Sequence, residues 1–261
     1  MSLPSARLPS VPASAPASLA DRVVLVTGAN GGLGAATARA CAAAGATVVL
    51  LGKRARMLEK LYDELLAADS AQPAIMPLDL ESATPVEYAE VAATIEREFG
   101  RLDGIVHAAA HFDGLTPLAQ HAPDQWLRTL QVNLSAPFAL TQACLPLLQA
   151  AADAAVVFVS DDPQRMDRAH WGAYGVAKAG IERMAAILHD EIDGTCVRVH
   201  VVLPGPMRTP LRRMAWFGED TMRQPTPEAT GQAVAFLLSP AAASLRGTTL
   251  DLRPDTAPAP G

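Results

Sequence analysis

With 261 residues, half of them hydrophobic, the chain is long enough to bury one substantial core in a single domain. A net charge of -6 disfavours nucleic acid phosphates and anionic membrane surfaces, and no basic cluster is dense enough to overrule it, Arg208, Arg212 and Arg213 coming nearest. Cys41, Cys144 and Cys196 are scattered without paired or metal-ligand spacing, and no apolar run reaches about 18 residues, so a soluble cytoplasmic protein with no bound metal is expected.

Residues 1–20 are almost entirely Ser, Pro, Ala and Leu, a composition expected to form a disordered tail; its prolines interrupt every short apolar run, unlike a secretory leader. The ordered domain is expected over 21–252, followed by a second Pro-rich tail at 253–261. Within it, strand-like runs are read at Arg22–Val26, Thr47–Leu51, Ala74–Leu78, Gly104–His107, Ala155–Ser160, Val197–Leu203 and Thr248–Leu252. Longer helical patterns separate them, several Ala-rich, as at Ala35–Ala44. The alternation predicts an α/β fold, a doubly wound parallel sheet of about seven strands with helices on both faces.

The first strand runs into Thr27-Gly28-Ala29-Asn30-Gly31-Gly32-Leu33-Gly34 and a helix follows at once. Such a turn lets backbone amides approach a pyrophosphate at the positive end of the helix dipole, which makes Gly28, Asn30, Gly31, Gly32, Leu33 and Gly34 candidate dinucleotide contacts in a Rossmann-type domain. At the end of the second strand, where a carboxylate would hold the adenosine ribose of NAD, the chain reads Gly52-Lys53-Arg54. Two cations there suit a 2′-phosphate, so NADP(H) is expected over NAD(H). Far downstream, Tyr174 and Lys178 lie one helical turn apart on one face, a candidate proton donor beside a cation.

Thr27, Gly28, Gly32 and Gly34, with Tyr174-Gly175-Val176-Ala177-Lys178, resemble the two motifs of the short-chain dehydrogenase/reductase family, and the resemblance extends over nearly all of Arg22–Leu252. It implies an oxidoreductase moving a hydride between the nicotinamide and a carbonyl or alcohol substrate. Tyr174 would be the general acid or base, Lys178 would stabilise its tyrosinate and reach the nicotinamide ribose, and Asn133 would complete a water-mediated proton path. Asp79 and Leu80 would contact the adenine; Pro204, Gly205 and Thr209 would hold the nicotinamide end. Trp171-Gly172-Ala173-Tyr174 and Pro204–Thr209 look most like the YciK-like branch of bacterial oxidoreductases. The resemblance also implies a homodimer or homotetramer packed through 123–149 and 172–190, and a substrate segment at about 207–226 carrying Met214, Trp216 and Phe217.

Two departures from the family pattern bear on chemistry. Asp161 stands where the family places a catalytic serine, and Ser160, one residue earlier, should point to the opposite face of its strand. A carboxylate about 4 Å from a developing tyrosinate opposes it by about 4 kcal/mol at an effective dielectric of about 20. Three alternatives follow: a neutral Asp161 that donates as serine would, an Asp161 that recognises a cationic or hydroxyl-bearing substrate group, or a dinucleotide-binding protein with weak or lost catalysis that serves as a sensor or assembly partner. The second departure is Ala108-Ala109-Ala110 in place of Asn-Ala-Gly, where Ala110 lacks glycine's backbone freedom. His170, in the loop before Tyr174, is a candidate substrate contact.

Overall fold

A computed structural model describes residues 2–7, 18–68 and 70–254. Eight parallel strands form one sheet: β1 (Ser5–Ala6), β2 (Val23–Thr27), β3 (Thr47–Gly52), β4 (Ala74–Pro77), β5 (Gly104–His107), β6 (Ala154–Val159), β7 (Val197–Leu203) and β8 (Thr248–Asp251). Their order across the sheet is β1-β8-β7-β6-β5-β2-β3-β4. The helices are α1 (Gly32–Ala43), α2 (Ala55–Ala67), α3 (Pro85–Phe99), α4 (Pro123–Leu130), α5 (Ala136–Ala150), α6 (Pro163–Met166), α7 (Gly172–Glu191), α8 (Pro210–Ala215) and α9 (Glu228–Leu238).

Strand alternation sorts the core into two layers. Val23 and Leu25 of β2 face one layer with Ile95 of α3, Leu140 of α5 and Ile181 of α7. Val24 and Val26 face the other with Cys41 of α1, Leu58 of α2 and Val234 of α9. Such two-sided burial is what a continuous Val/Leu strand in a parallel sheet requires. Helices α1 and α9 approach closely because a Cβ on Gly231 would come within 2.7 Å of the Ala36 carbonyl carbon. Among the described residues, no helix is long and apolar enough to cross a membrane.

The expected count of about seven strands becomes eight. The added strand belongs to the segment read as a tail: Ser5 and Ala6 pair in parallel with Thr249 and Leu250, while Leu3 and Leu19 are buried. Composition misleads here because a two-residue edge strand needs only backbone hydrogen bonds and one apolar anchor, whatever prolines follow. At the other end, Arg253, also assigned to a tail, is held by two hydrogen bonds of 2.9 Å to the Asp251 carboxylate. The remainder of both expected tails, at 8–17 and 255–261, lies outside the described residues.

Two local features position the site. Between α4 and α5 the chain makes a π-helical turn over Gln131–Ser135, carrying Asn133. The order of the sheet reverses between β5 and β2, and the carboxyl ends of these strands open the crevice where ligands of such sheets bind.

Candidate active site

That crevice is a cavity of about 540 Å³ running across the strand ends. Gly28, Asn30, Gly31, Gly32 and Leu33 form its wall after β2. Gly28 has φ +65°, and a Cβ there would lie 2.7 Å from the Ala109 backbone, so only glycine fits. Gly34 does not reach the wall. A Cβ on it would collide with the Gly28 carbonyl, so its part is to let α1 start tightly against the turn. Backbone amides at the start of a helix, kept bare of side chains, fit a pyrophosphate.

Lys53, Arg54, Asp79 and Leu80 line the cavity beside the end of β3. Lys53 is half-exposed, 3.9 Å from Asp79 and 3.7 Å from Glu81. The Asn30 amide, turned with its oxygen toward Arg54, accepts from Arg54 Nε at 2.9 Å, which ties the guanidinium to the glycine turn. Two cations with no carboxylate at the end of β3 itself make a donor set for a phosphate.

At the opposite end, Pro204, Gly205 and Thr209 line the cavity after β7. Thr209 also caps α8, accepting from Arg212 N at 3.2 Å. Ala108–Ala110 lie on the wall between the two ends, and Ala109 N donates to Thr27 Oγ1 at 3.2 Å. Ala110 needs no glycine conformation: among the described non-glycine residues only Asp21 and His170 have positive φ.

Asp161, Tyr174 and Lys178 converge on the same cavity. Tyr174 Oη donates to Asp161 Oδ2 at 3.1 Å, and the Asp162 amide donates to Asp161 Oδ1 at 2.7 Å. Ser160 also borders the cavity, but its hydroxyl donates to Glu182 at 2.5 Å. Burial, then the Asp161 charge and the hydrogen bond to it, raises the Tyr174 pKa well above 10. A neighbouring cation such as Lys178 favours a tyrosinate; the direction here is nevertheless upward, set by burial and the Asp161 carboxylate. Burial lowers Lys178 itself to about 8, although Asp161 and Glu182 oppose the shift. Its ammonium donates to Val159 O at 2.8 Å.

Asn133, expected to complete a water-mediated proton path, sits in the π-helical turn. Its Nδ2 donates to Thr129 O and His111 O, each at 2.8 Å, and its Oδ1 accepts from His111 N at 3.2 Å. The side chain is spent on bracing the loop after β5, and it does not line the cavity. His170 also misses the cavity: it is exposed, with φ +77°, and borders a separate hollow with Leu118 and Met166. His107 is buried against Phe158, bonded to Thr141 Oγ1 at 2.8 Å and pushed down to about 3, a neutral core residue.

In the segment at 207–226, Trp216 faces the cavity and meets Trp171, with the Arg212 guanidinium 3.6 Å from its ring centroid. Met214 and Phe217 point outward, Phe217 being 89% exposed. Sequence reasoning missed the arginine brace of Asp162, which pairs with Arg165 at 3.2 Å and with Arg253 from the far end of the chain. The Asp-Asp-Pro run was visible, but no local signal points to a partner so distant in sequence.

Comparison with known proteins agrees with this geometry. The short chain dehydrogenase family model matches residues 22–219. Over 240 residues the chain is 35% identical to the oxidoreductase YciK of Escherichia coli, covering 92% of this chain and 95% of that one. A short chain dehydrogenase from Pseudomonas syringae superposes with a TM-score of 0.85 at 42% identity, covering 91% of this chain and 97% of that one. One from Shigella flexneri, complexed with NADP, does so with a TM-score of 0.87 at 34% identity, covering 91% and 99%. Glycine turn, tyrosine and lysine at one crevice, together with these matches, show that the chain belongs to the short-chain dehydrogenase/reductase family of oxidoreductases.

Proposed function

We propose that this oxidoreductase uses NADP(H) in preference to NAD(H) and reacts at a carbon bonded to oxygen, with Tyr174 as general acid or base. The observation that carries the reading is the convergence of Tyr174 and Lys178 on the cavity whose other end holds Lys53, Arg54 and the bare glycine turn. When bound, the nicotinamide supplies or accepts the hydride. Gly28 and Gly31–Leu33 would hold the pyrophosphate, Lys53 and Arg54 the 2′-phosphate, and Asp79 and Leu80 the adenine. Pro204, Gly205 and Thr209 would flank the nicotinamide. The NADP and NADPH carried by two solved relatives support the cofactor choice. The experiment is a comparison of KM for NADPH and NADH. NADPH is expected to have the lower KM, and Lys53→Ala with Arg54→Ala to raise it about tenfold or more by removing two charge-assisted contacts. Equal use of NADH by the unaltered enzyme would overturn the preference.

Tyr174 holds its proton tightly, so in carbonyl reduction the Lys178 ammonium must favour its release. Lys178 is charged below about 8 and neutral above it. Carbonyl reduction is therefore expected to fall as pH rises through about 8, and a pH–rate profile checks it. Lys178→Met should remove that inflection along with most of the rate.

The Asp161–Tyr174 hydrogen bond favours a second reading, a dinucleotide-binding protein with slow turnover that serves as a sensor or assembly partner. Tight NADPH binding with no turnover of any substrate would select it. For either reading we propose a homodimer or homotetramer through α4, α5 and α7, whose outer faces leave Leu127, Phe138, Val176 and Ile187 about half exposed or more. Gel filtration is expected to show at least a dimer; a monomer would refute this.

A further inference from the structure

We infer that the acceptor suited to this site is a protonated carbon–nitrogen double bond, an iminium, carried on an apolar or aromatic body. The inference rests on the hydride-transfer reading above and departs from it in one respect, placing nitrogen rather than oxygen on the acceptor carbon. Both Asp161 oxygens accept hydrogen bonds, Oδ1 from the Asp162 amide at 2.7 Å and Oδ2 from Tyr174 Oη at 3.1 Å. The position that should donate to a developing oxyanion is thus an acceptor, and the tyrosine proton is directed at that same carboxylate. A carbonyl oxygen gains negative charge as the hydride arrives, which such a site opposes. An iminium loses positive charge at the same step, and a carboxylate beside it attracts the reactant.

The two adjacent carboxylates are treated differently by the fold. Asp162 pairs with Arg165 and Arg253, whereas among the described residues Asp161 has no ion-pair partner and faces the cavity. Arg165 and Arg253 are committed to its neighbour and hold the turn that aims it, which leaves the buried Lys178 ammonium as the cation that feels its charge. Met207, Leu211 and Trp216 on the cavity wall supply apolar surface for the body of the ligand.

The step balances without an acid. The hydride pair from a reduced nicotinamide forms the new C–H bond while the C=N π pair moves onto nitrogen and cancels its charge. The nitrogen keeps the proton it brought, so a neutral amine and the oxidised nicotinamide result. Asp161 positions and stabilises the cation, and Tyr174 orients Asp161.

The test uses the full chain with NADP bound. By calorimetry, tetrahydroisoquinolinium should bind about tenfold or more tighter than its uncharged isostere isochroman, and Asp161→Asn should erase the difference. With NADPH, the wild type should reduce dihydroisoquinoline in preference to tetralone, and Asp161→Ser should reverse the order. Equal binding of the two probes, or a difference that survives Asp161→Asn, overturns the inference. Preference of the wild type for tetralone overturns it too and leaves the hydride-transfer reading standing. Failure to bind NADPH, followed separately by its fluorescence, overturns that reading and the inference with it.

Discussion

Tyr174→Phe is expected to lower kcat/KM for a carbonyl substrate by about a hundredfold to ten-thousandfold, the usual contribution of a positioned general acid. The substitution removes one oxygen and leaves the ring, whose contacts with Phe112 at 5.2 Å and Trp171 at 6.0 Å hold the small aromatic cluster beside the cavity. Folding and NADPH affinity should therefore stay close to wild type, which thermal melting and fluorescence titration would show. A variant retaining more than about a tenth of the carbonyl activity would remove Tyr174 from the role, given the magnitude expected of such an acid. An iminium carries its own proton and should lose far less, so the ratio of the two losses separates acid catalysis from mere positioning.

Arg198→Met is expected to cost about 3 kcal/mol of stability, the scale for breaking a buried ion pair by removing one partner. Arg198 is buried on β7 and donates to both Asp153 oxygens at 3.0 Å, to Leu237 O at 2.6 Å and to Ser239 O at 3.1 Å. Arg22 still reaches Asp153 at 2.6 Å, so the carboxylate keeps one cation. The two carbonyls at the end of α9 keep no replacement for the guanidinium, and unsatisfied buried acceptors are costly. Urea denaturation measures the loss. A change below about 1 kcal/mol would mean that water or Arg22 takes over the whole network, since surface substitutions already span about half that. The active-site residues lie at the other end of these strands, so NADPH affinity below the unfolding transition should change little.

What the sequence made legible follows from the range of the interactions involved. Strands β2 to β8 are readable because each is an apolar run or alternation bounded by turns, and the glycine turn is readable because several glycines act within one loop. Tyr174 and Lys178 declare themselves by helical spacing alone, and Asp161 by standing in a position where a donor belongs. The misses are long-range. Arg253 meets Asp162 across the sheet, and nothing near either residue announces the other. The short strand β1 exists only because β8 offers it an edge. The bracing of the loop after β5 by the Asn133 amide is not readable either, since its His111 partner comes into reach only once that loop is folded. For the Tyr174 shift, the opposing Asp161 carboxylate is legible in the sequence, but not how much water burial takes away. In the segment at 207–226, composition marks three apolar side chains, and only backbone direction decides that Trp216 turns inward while Met214 and Phe217 do not.

The π-helical turn at Gln131–Ser135 can be regarded as a single-residue insertion carried within an otherwise regular helical path. Excision of one residue there would let an ordinary helix close, yet every side chain beyond the cut would rotate by about 100° about the axis. Asn133 would swing off the loop after β5, and the inward row of α5, with Leu140, Cys144 and Leu148, would turn away from the sheet. The irregular turn therefore sets the phase between two helices, making this short stretch far less tolerant of length change than the exposed loops around it.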